Sequence, residues 1–115
     1  MTVTIYHNPR CSKSRQTLEL LRGKGLEPEI IEYLKNPPGK SEITGILALL
    51  GIGPRDLMRK KEAEYKANGL DAPDLPDEQL LDALIEHPVL IERPIVLANG
   101  KAAVGRPPEN VLEIL

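Results

Sequence analysis

His7-Asn8-Pro9-Arg10-Cys11-Ser12-Lys13-Ser14-Arg15 decides how this chain reads, because it holds the only cysteine and stands where a strand pattern gives way to a helix pattern. Upstream, Val3 and Ile5 alternate with Thr2, Thr4 and Tyr6, the period of a half-buried strand. Downstream, helix-forming residues run from Ser12, with Leu18, Leu20 and Leu21 as the apolar face, to a stop at Gly23 and Gly25. A thiol at such a junction faces unpaired backbone N–H groups and the positive end of the helix dipole, and both favour the thiolate. Arg10, Lys13 and Arg15 add positive charge nearby. A lone cysteine is more commonly a small, inert core residue. Here Pro9, Ser12 and Ser14 mark an exposed turn into a helix, which makes Cys11 the candidate nucleophile.

Beyond this stretch, Glu29 to Leu34, with Ile30 and Ile31, reads as a second strand, so the first third of the chain is a βαβ unit with parallel strands. Asn36-Pro37-Pro38-Gly39 is a turn, after which Ile43, Ile46, Leu47 and Leu50 recur at helical spacing until Gly51, with Gly39 as N-cap and Glu42 at N3. Gly51-Ile52-Gly53-Pro54 follows a helix rather than a strand, so it reads as a helix stop and restart and not as a phosphate-binding loop. Pro54 opens a short helical segment, and the Arg59-Lys60-Lys61 run after it reads as a solvated helix end. Residues 62–76 read as a short helix and an irregular link. A helix capped by Asp77 then carries Leu80, Leu81, Leu84 and Ile85 and ends at His87-Pro88, with His87 in a capping role.

Ile95 to Ala98 and Lys101 to Gly105 flank Asn99-Gly100, a strong hairpin signal, so these strands are expected to be antiparallel. Arg93-Pro94 just before them is a candidate cis peptide. Pro107-Pro108 starts a final helix with Val111, Leu112 and Leu115 facing inward. The order β-α-β, a helical insertion over about 39–92, then β-β-α is the thioredoxin-like arrangement with a mixed sheet, in one domain spanning residues 1–115.

Composition narrows the function. The chain has no Trp or Phe, so its core must be aliphatic. A net charge of −2 with interspersed signs argues against a nucleic-acid surface or a polybasic membrane patch. No basic leader or membrane-length apolar run is present, so the expected location is cytoplasmic. One cysteine excludes an internal disulfide or Cys-x-x-Cys couple, and no second His or Cys lies at ligand spacing to His87, so no metal site is expected.

Several ordered motifs together resemble the glutaredoxin-linked arsenate reductase family over essentially the whole chain. They are Ile5-Tyr6-His7-Asn8-Pro9-x-Cys11, Asn36-Pro37-Pro38, Leu57-x-Arg59-Lys60, His87-Pro88, Arg93-Pro94-Ile95-Val96 and Gly105-Arg106-Pro107. The resemblance implies a thioredoxin-like fold, a cis Arg93–Pro94 bond, Cys11 as nucleophile, and Arg59, Arg93 and Arg106 as ligands of the arsenic oxyanion. It implies arsenate as substrate, no bound cofactor, glutathione as cosubstrate and glutaredoxin as partner. Guanidinium groups suit that task, since they offer planar, charge-assisted, multidentate donors. Ser14 is either a hydrogen-bond donor to the thiolate or a helix-start residue, and His7 is a candidate for tuning the thiol from behind it. Two other readings compete. One is a glutathione-dependent reductase or transferase of the same fold acting on another substrate. The other is a Spx-like regulator that binds RNA polymerase, against which Ser14 stands where such regulators carry the second cysteine of their switch. Phosphatase-type arsenate reductases are excluded, because their loop has an Arg six residues after the cysteine and this chain has Thr17.

Overall fold

A computed structural model describes residues 2–115. Its contacts separate into two compact units, one formed by the chain up to Asn36 together with Arg93–Leu115, the other by Pro37–Glu92.

The first unit is a four-stranded mixed sheet. Strands β1 (Val3–His7), β2 (Glu29–Glu32), β3 (Ile95–Ala98) and β4 (Lys101–Val104) lie in the order β2-β1-β3-β4. β1 pairs parallel with β2, placing Ile5 opposite Ile30, and antiparallel with β3, placing Ile5 opposite Val96. The hairpin β3–β4 turns at Asn99 and Gly100, both at positive φ, the conformation that Asn-Gly favours in a two-residue loop. Helix α1 (Ser12–Gly23) makes the crossover from β1 to β2, and the topology is thioredoxin-like. The buried stripe of α1 is Ser14, Thr17, Leu18 and Leu21, so its first half turns polar groups inward and its second half apolar ones. Leu18 and Leu21 join Val3, Ile5, Val96, Ala98, Val111 and Ile114 in one aliphatic cluster.

Two details of this unit differ from the sequence expectation. β2 ends at Glu32, where Lys35 and Asn36 N–H groups both donate to the Glu32 carbonyl and turn the chain, so Leu34 is exposed and Ile30 faces outward from an edge strand. The last segment, Pro108–Ile114, is a 3-10 helix rather than an α-helix. Three residues per turn align Pro108, Val111 and Ile114 on the buried side, which leaves Leu112 exposed instead of inward. Arg93–Pro94 is cis, as the resemblance implies, and Arg106–Pro107 is cis as well.

The second unit is helical: α2 (Lys40–Leu50), a 3-10 turn (Pro54–Leu57), α3 (Ala63–Ala67), α4 (Asp77–Glu86) and a 3-10 turn (Pro88–Leu90). Ile43, Ile46, Leu57, Leu80, Leu84 and Leu90 are buried in it. Gly39 caps α2 with Glu42 in the first turn, and Gly51 ends it at φ 69°. Pro76, not Asp77, is the N-cap of α4; Asp77 still lies in the first turn, where the helix dipole favours its charge. Arg55 holds the irregular stretch after α3 through bonds to the Tyr65 hydroxyl and the Leu70 and Ala72 carbonyls, at 2.6 to 2.7 Å. Among the described residues, no helix is long and apolar enough to cross a membrane.

Because Leu21 is fully buried in the aliphatic cluster, Leu21→Ala is expected to cost about 2–5 kcal/mol of unfolding free energy. Leu34→Ala, at an exposed site, should stay within about 0.5 kcal/mol. Urea titration of both variants checks the difference, and equal losses would contradict this placement of the core.

Candidate active site

Cys11 is the N-cap of α1, with extended backbone (φ −93°, ψ 124°) and a partly exposed side chain. The turn before it is fixed by its own polar groups. The Cys11 N–H donates to the Asn8 carbonyl at 3.0 Å, the Arg10 N–H to Asn8 Oδ1 at 3.0 Å, and Arg15 Nη1 to the Pro9 carbonyl at 2.9 Å. Asn8 is buried and shapes the turn, a role that an Asn before Pro foreshadows but the sequence reading did not assign.

The thiol environment sets opposing effects against each other. Burial pushes the Cys11 pKa up. The Ser14 backbone N–H, the Arg93 guanidinium through a hydrogen bond and its charge, and the Lys13 backbone N–H together outweigh burial, and the pKa lies below the ordinary cysteine value. Arg106 Nη1 stands 3.9 Å from the sulfur and donates to the Arg93 carbonyl at 3.3 Å. Cys11, Arg93 and Arg106 are thus brought together from three separate stretches of sequence. The nearby cations expected from the sequence act differently: Arg15 clamps the turn, and Lys13 serves through its backbone.

Behind the thiol, Ser14 Oγ accepts the Asn8 N–H at 3.0 Å and lies 2.6 Å from His7 Nδ1. The Ser14 hydroxyl is thus engaged on one side by the Asn8 N–H and on the other by Nδ1 of the His7 ring. The Ser14 hydroxyl is therefore committed to His7, and it is the Ser14 backbone N–H that reaches the thiol. Burial holds the His7 pKa below 6.5; Glu32 opposes this and Arg22 and Arg15 reinforce it.

Arg59 belongs to the second unit. It is not at a helix end: the segment around it is extended, with Met58 bridged to Ile91, the Arg59 N–H on the Leu90 carbonyl at 2.7 Å, and the Glu92 N–H on the Leu57 carbonyl at 2.8 Å. Its guanidinium is held by Glu62 at 3.1 Å and Glu92 at 3.2 Å, while Lys60 and Lys61 are exposed. Among the described residues no group of three or more His, Cys, Asp or Glu side chains is arranged to hold a metal ion.

A family model described as the ArsC family matches residues 6–114. The chain belongs to the ArsC family. It is 53% identical over 114 residues to the arsenate reductase of Neisseria meningitidis serogroup B, covering 98% of this chain and 97% of that protein. It is 52% identical over 116 residues to the arsenate reductase of Haemophilus influenzae, covering all of both. Among solved structures, the arsenate reductase from Vibrio cholerae matches with a TM-score of 0.97 and 52% identity, covering 100% of this chain and 98% of that one. The ArsC fold thus carries Cys11 at its first helix N-terminus and the two arginines at either end of its β-hairpin.

The buried, neutral His7 makes a pH prediction. With a folded pKa below the unfolded value, His7 contributes nothing above 6.5; as pH falls through 6.5 the unfolded chain takes up a proton that the folded chain resists, and the fold loses stability. Wild type should therefore lose more urea resistance on acidification below 6.5 than His7→Gln does. Parallel losses in the two proteins would mean that His7 titrates normally in the fold.

Proposed function

We propose that the protein reduces arsenate to arsenite, with Cys11 as the nucleophile and with glutathione and glutaredoxin supplying the electrons. The observation that carries this reading is the convergence of the Arg93 and Arg106 guanidinium groups on a thiol at a helix N-terminus. Full-length relatives at about half identity that bear the name arsenate reductase support the choice of anion.

The chemistry follows from the groups present. A pKa held below the ordinary cysteine value raises the share of thiolate, the nucleophilic form, above that of a free thiol. The Cys11 thiolate attacks As(V), a sulfur–arsenic bond forms and hydroxide leaves. Arg93 and Arg106 stabilise the oxyanion through charge-assisted hydrogen bonds as charge shifts onto its oxygens. Arg59 is included as a third ligand on the family motif alone. Glutathione then attacks the bound arsenic and water leaves. A glutaredoxin thiolate attacks the glutathione sulfur, the sulfur–arsenic bond breaks with its electron pair passing to arsenic, and a glutathione–glutaredoxin disulfide forms. Water then displaces Cys11 from As(III), so that arsenite departs. A chain with one cysteine cannot form a disulfide within itself, so the second sulfur of a two-electron reduction has to come from outside. A thiol cosubstrate of this kind fits a cytoplasmic setting.

Arsenite formation measured with glutathione, with and without glutaredoxin, tests the reading. Cys11→Ser should keep the fold and lose turnover, because a hydroxyl is far less acidic than a thiol. Arg59→Ala, Arg93→Ala and Arg106→Ala should each lose about 1.5 to 3 kcal/mol of transition-state stabilisation, roughly ten- to a hundredfold in kcat/KM. Full activity in Cys11→Ser would remove the nucleophile from the scheme, and full activity in all three arginine variants would remove the anion site.

A further inference from the structure

Gly105 is buried between the end of β4 and Arg106. Its φ lies outside the left-handed region, so the backbone does not require glycine there; the space does. A Cβ at this position would stand 2.6 Å from Thr17 Oγ1 and 2.8 Å from Pro94 Cγ, closer than side-chain carbons approach their neighbours, and a tight 3.1 Å from Thr17 Cγ2. The bare Cα is therefore seated between helix α1 and the residue that follows Arg93. Hydrogen bonds hold the seat. The Gly105 N–H donates to the Pro94 carbonyl at 2.9 Å, and the fully buried Thr17 hydroxyl donates to the Lys13 carbonyl at 2.8 Å with the Gly105 carbonyl at 3.5 Å.

We propose that Gly105 is a positioning residue whose missing side chain lets the Pro94 and Arg106 segments rest against Thr17 of α1, and that this seat sets how closely the Arg93 and Arg106 guanidinium groups approach the Cys11 sulfur. Gly105 and Thr17 act through their neighbours. Pro94 is bonded to Arg93, Gly105 is bonded to Arg106, and Thr17 shares with Cys11 the helix whose N-terminus carries the thiol. The 3.9 Å from Arg106 Nη1 to the sulfur leaves little slack, so an outward displacement at Gly105 takes that guanidinium out of hydrogen-bonding range. The same displacement reaches Arg93, because Arg106 Nη1 also holds the Arg93 carbonyl at 3.3 Å. This inference rests on the reading of Arg93 and Arg106 as the groups that serve Cys11, and its test reads the thiol rather than arsenate turnover.

The experiment is the rate of Cys11 alkylation against pH in wild type, G105A, T17A and G105A/T17A, with the fold of each followed by circular dichroism. G105A should raise the thiolate inflection by about one pH unit, the scale expected when cations near a titrating group move away. Adding G105A to T17A should raise it much less, because Thr17 Oγ1 and Cγ2 are gone and only the Pro94 ring remains in the way. Should G105A alone fail to fold, the folded double variant is read against T17A: a residual rise from the Pro94 ring supports the proposal, and the inflection of T17A overturns it. A folded G105A with the wild-type inflection overturns the proposal, as does an equal rise in both backgrounds. Failure of G105A and the double variant alike to fold also overturns it, since the glycine then serves the fold and not the placement of the arginines. A wild-type protein that turns over no arsenate but shows these shifts would remove the substrate and leave the positioning role standing.

Discussion

The site depends on the backbone N–H groups at the start of α1, those of Lys13 and Ser14, facing the sulfur of Cys11. They belong to the first turn, where no carbonyl within the helix is available to them, so a negative sulfur satisfies donors that are otherwise left to solvent. Burial opposes this, since a half-buried thiol resists ionisation. The N–H groups and the Arg93 guanidinium act in the same direction, and together they outweigh burial.

The rest of the first unit explains how those groups stay in place. β1 delivers His7 and Asn8 to the turn before Cys11; the Asn8 carbonyl and side chain then fix the turn, and Ser14 Oγ ties Asn8 and His7 to the first turn of the helix. On the other side, the β3–β4 hairpin begins just after Arg93 and ends just before Arg106, so antiparallel pairing of Ile95 with Val104 returns the chain to where it started. Two residues distant from Cys11 in sequence become its cationic neighbours through that one pairing.

Much of this was legible in the sequence because short-range rules govern it. Period-two alternation marks β1, Asn99-Gly100 marks the hairpin, and a thiol followed by Ser-Lys-Ser marks a helix start. The misreadings arise where long-range packing or a change of helix type decides. Val111, Leu112 and Leu115 fit an inward α-helical stripe, and Val111 is buried and Leu115 packs against the core, but the 3-10 helix buries Ile114 and leaves Leu112 exposed. Arg59 sits in a basic run that resembles a solvated helix end, yet the strand-like pairing of Met58 with Ile91 and the carboxylates of Glu62 and Glu92 hold it. Ser14 Oγ was open to two roles, and a third, the bond to His7, required knowing that both side chains are buried side by side. Thr17 and Gly105 meet across 88 residues of sequence, and no local pattern encodes that contact.

The most direct measurement is the ultraviolet absorbance of the Cys11 thiolate as a function of pH, in the folded protein and in the same protein unfolded by denaturant. With one cysteine in the chain the thiolate signal has a single source. The folded midpoint should lie below the unfolded one, because the N–H groups of Ser14 and Lys13 and the Arg93 guanidinium outweigh burial. A folded midpoint at or above the unfolded value would mean that burial wins, that Cys11 is a thiol at neutral pH, and that the site described here is not built to generate a nucleophile.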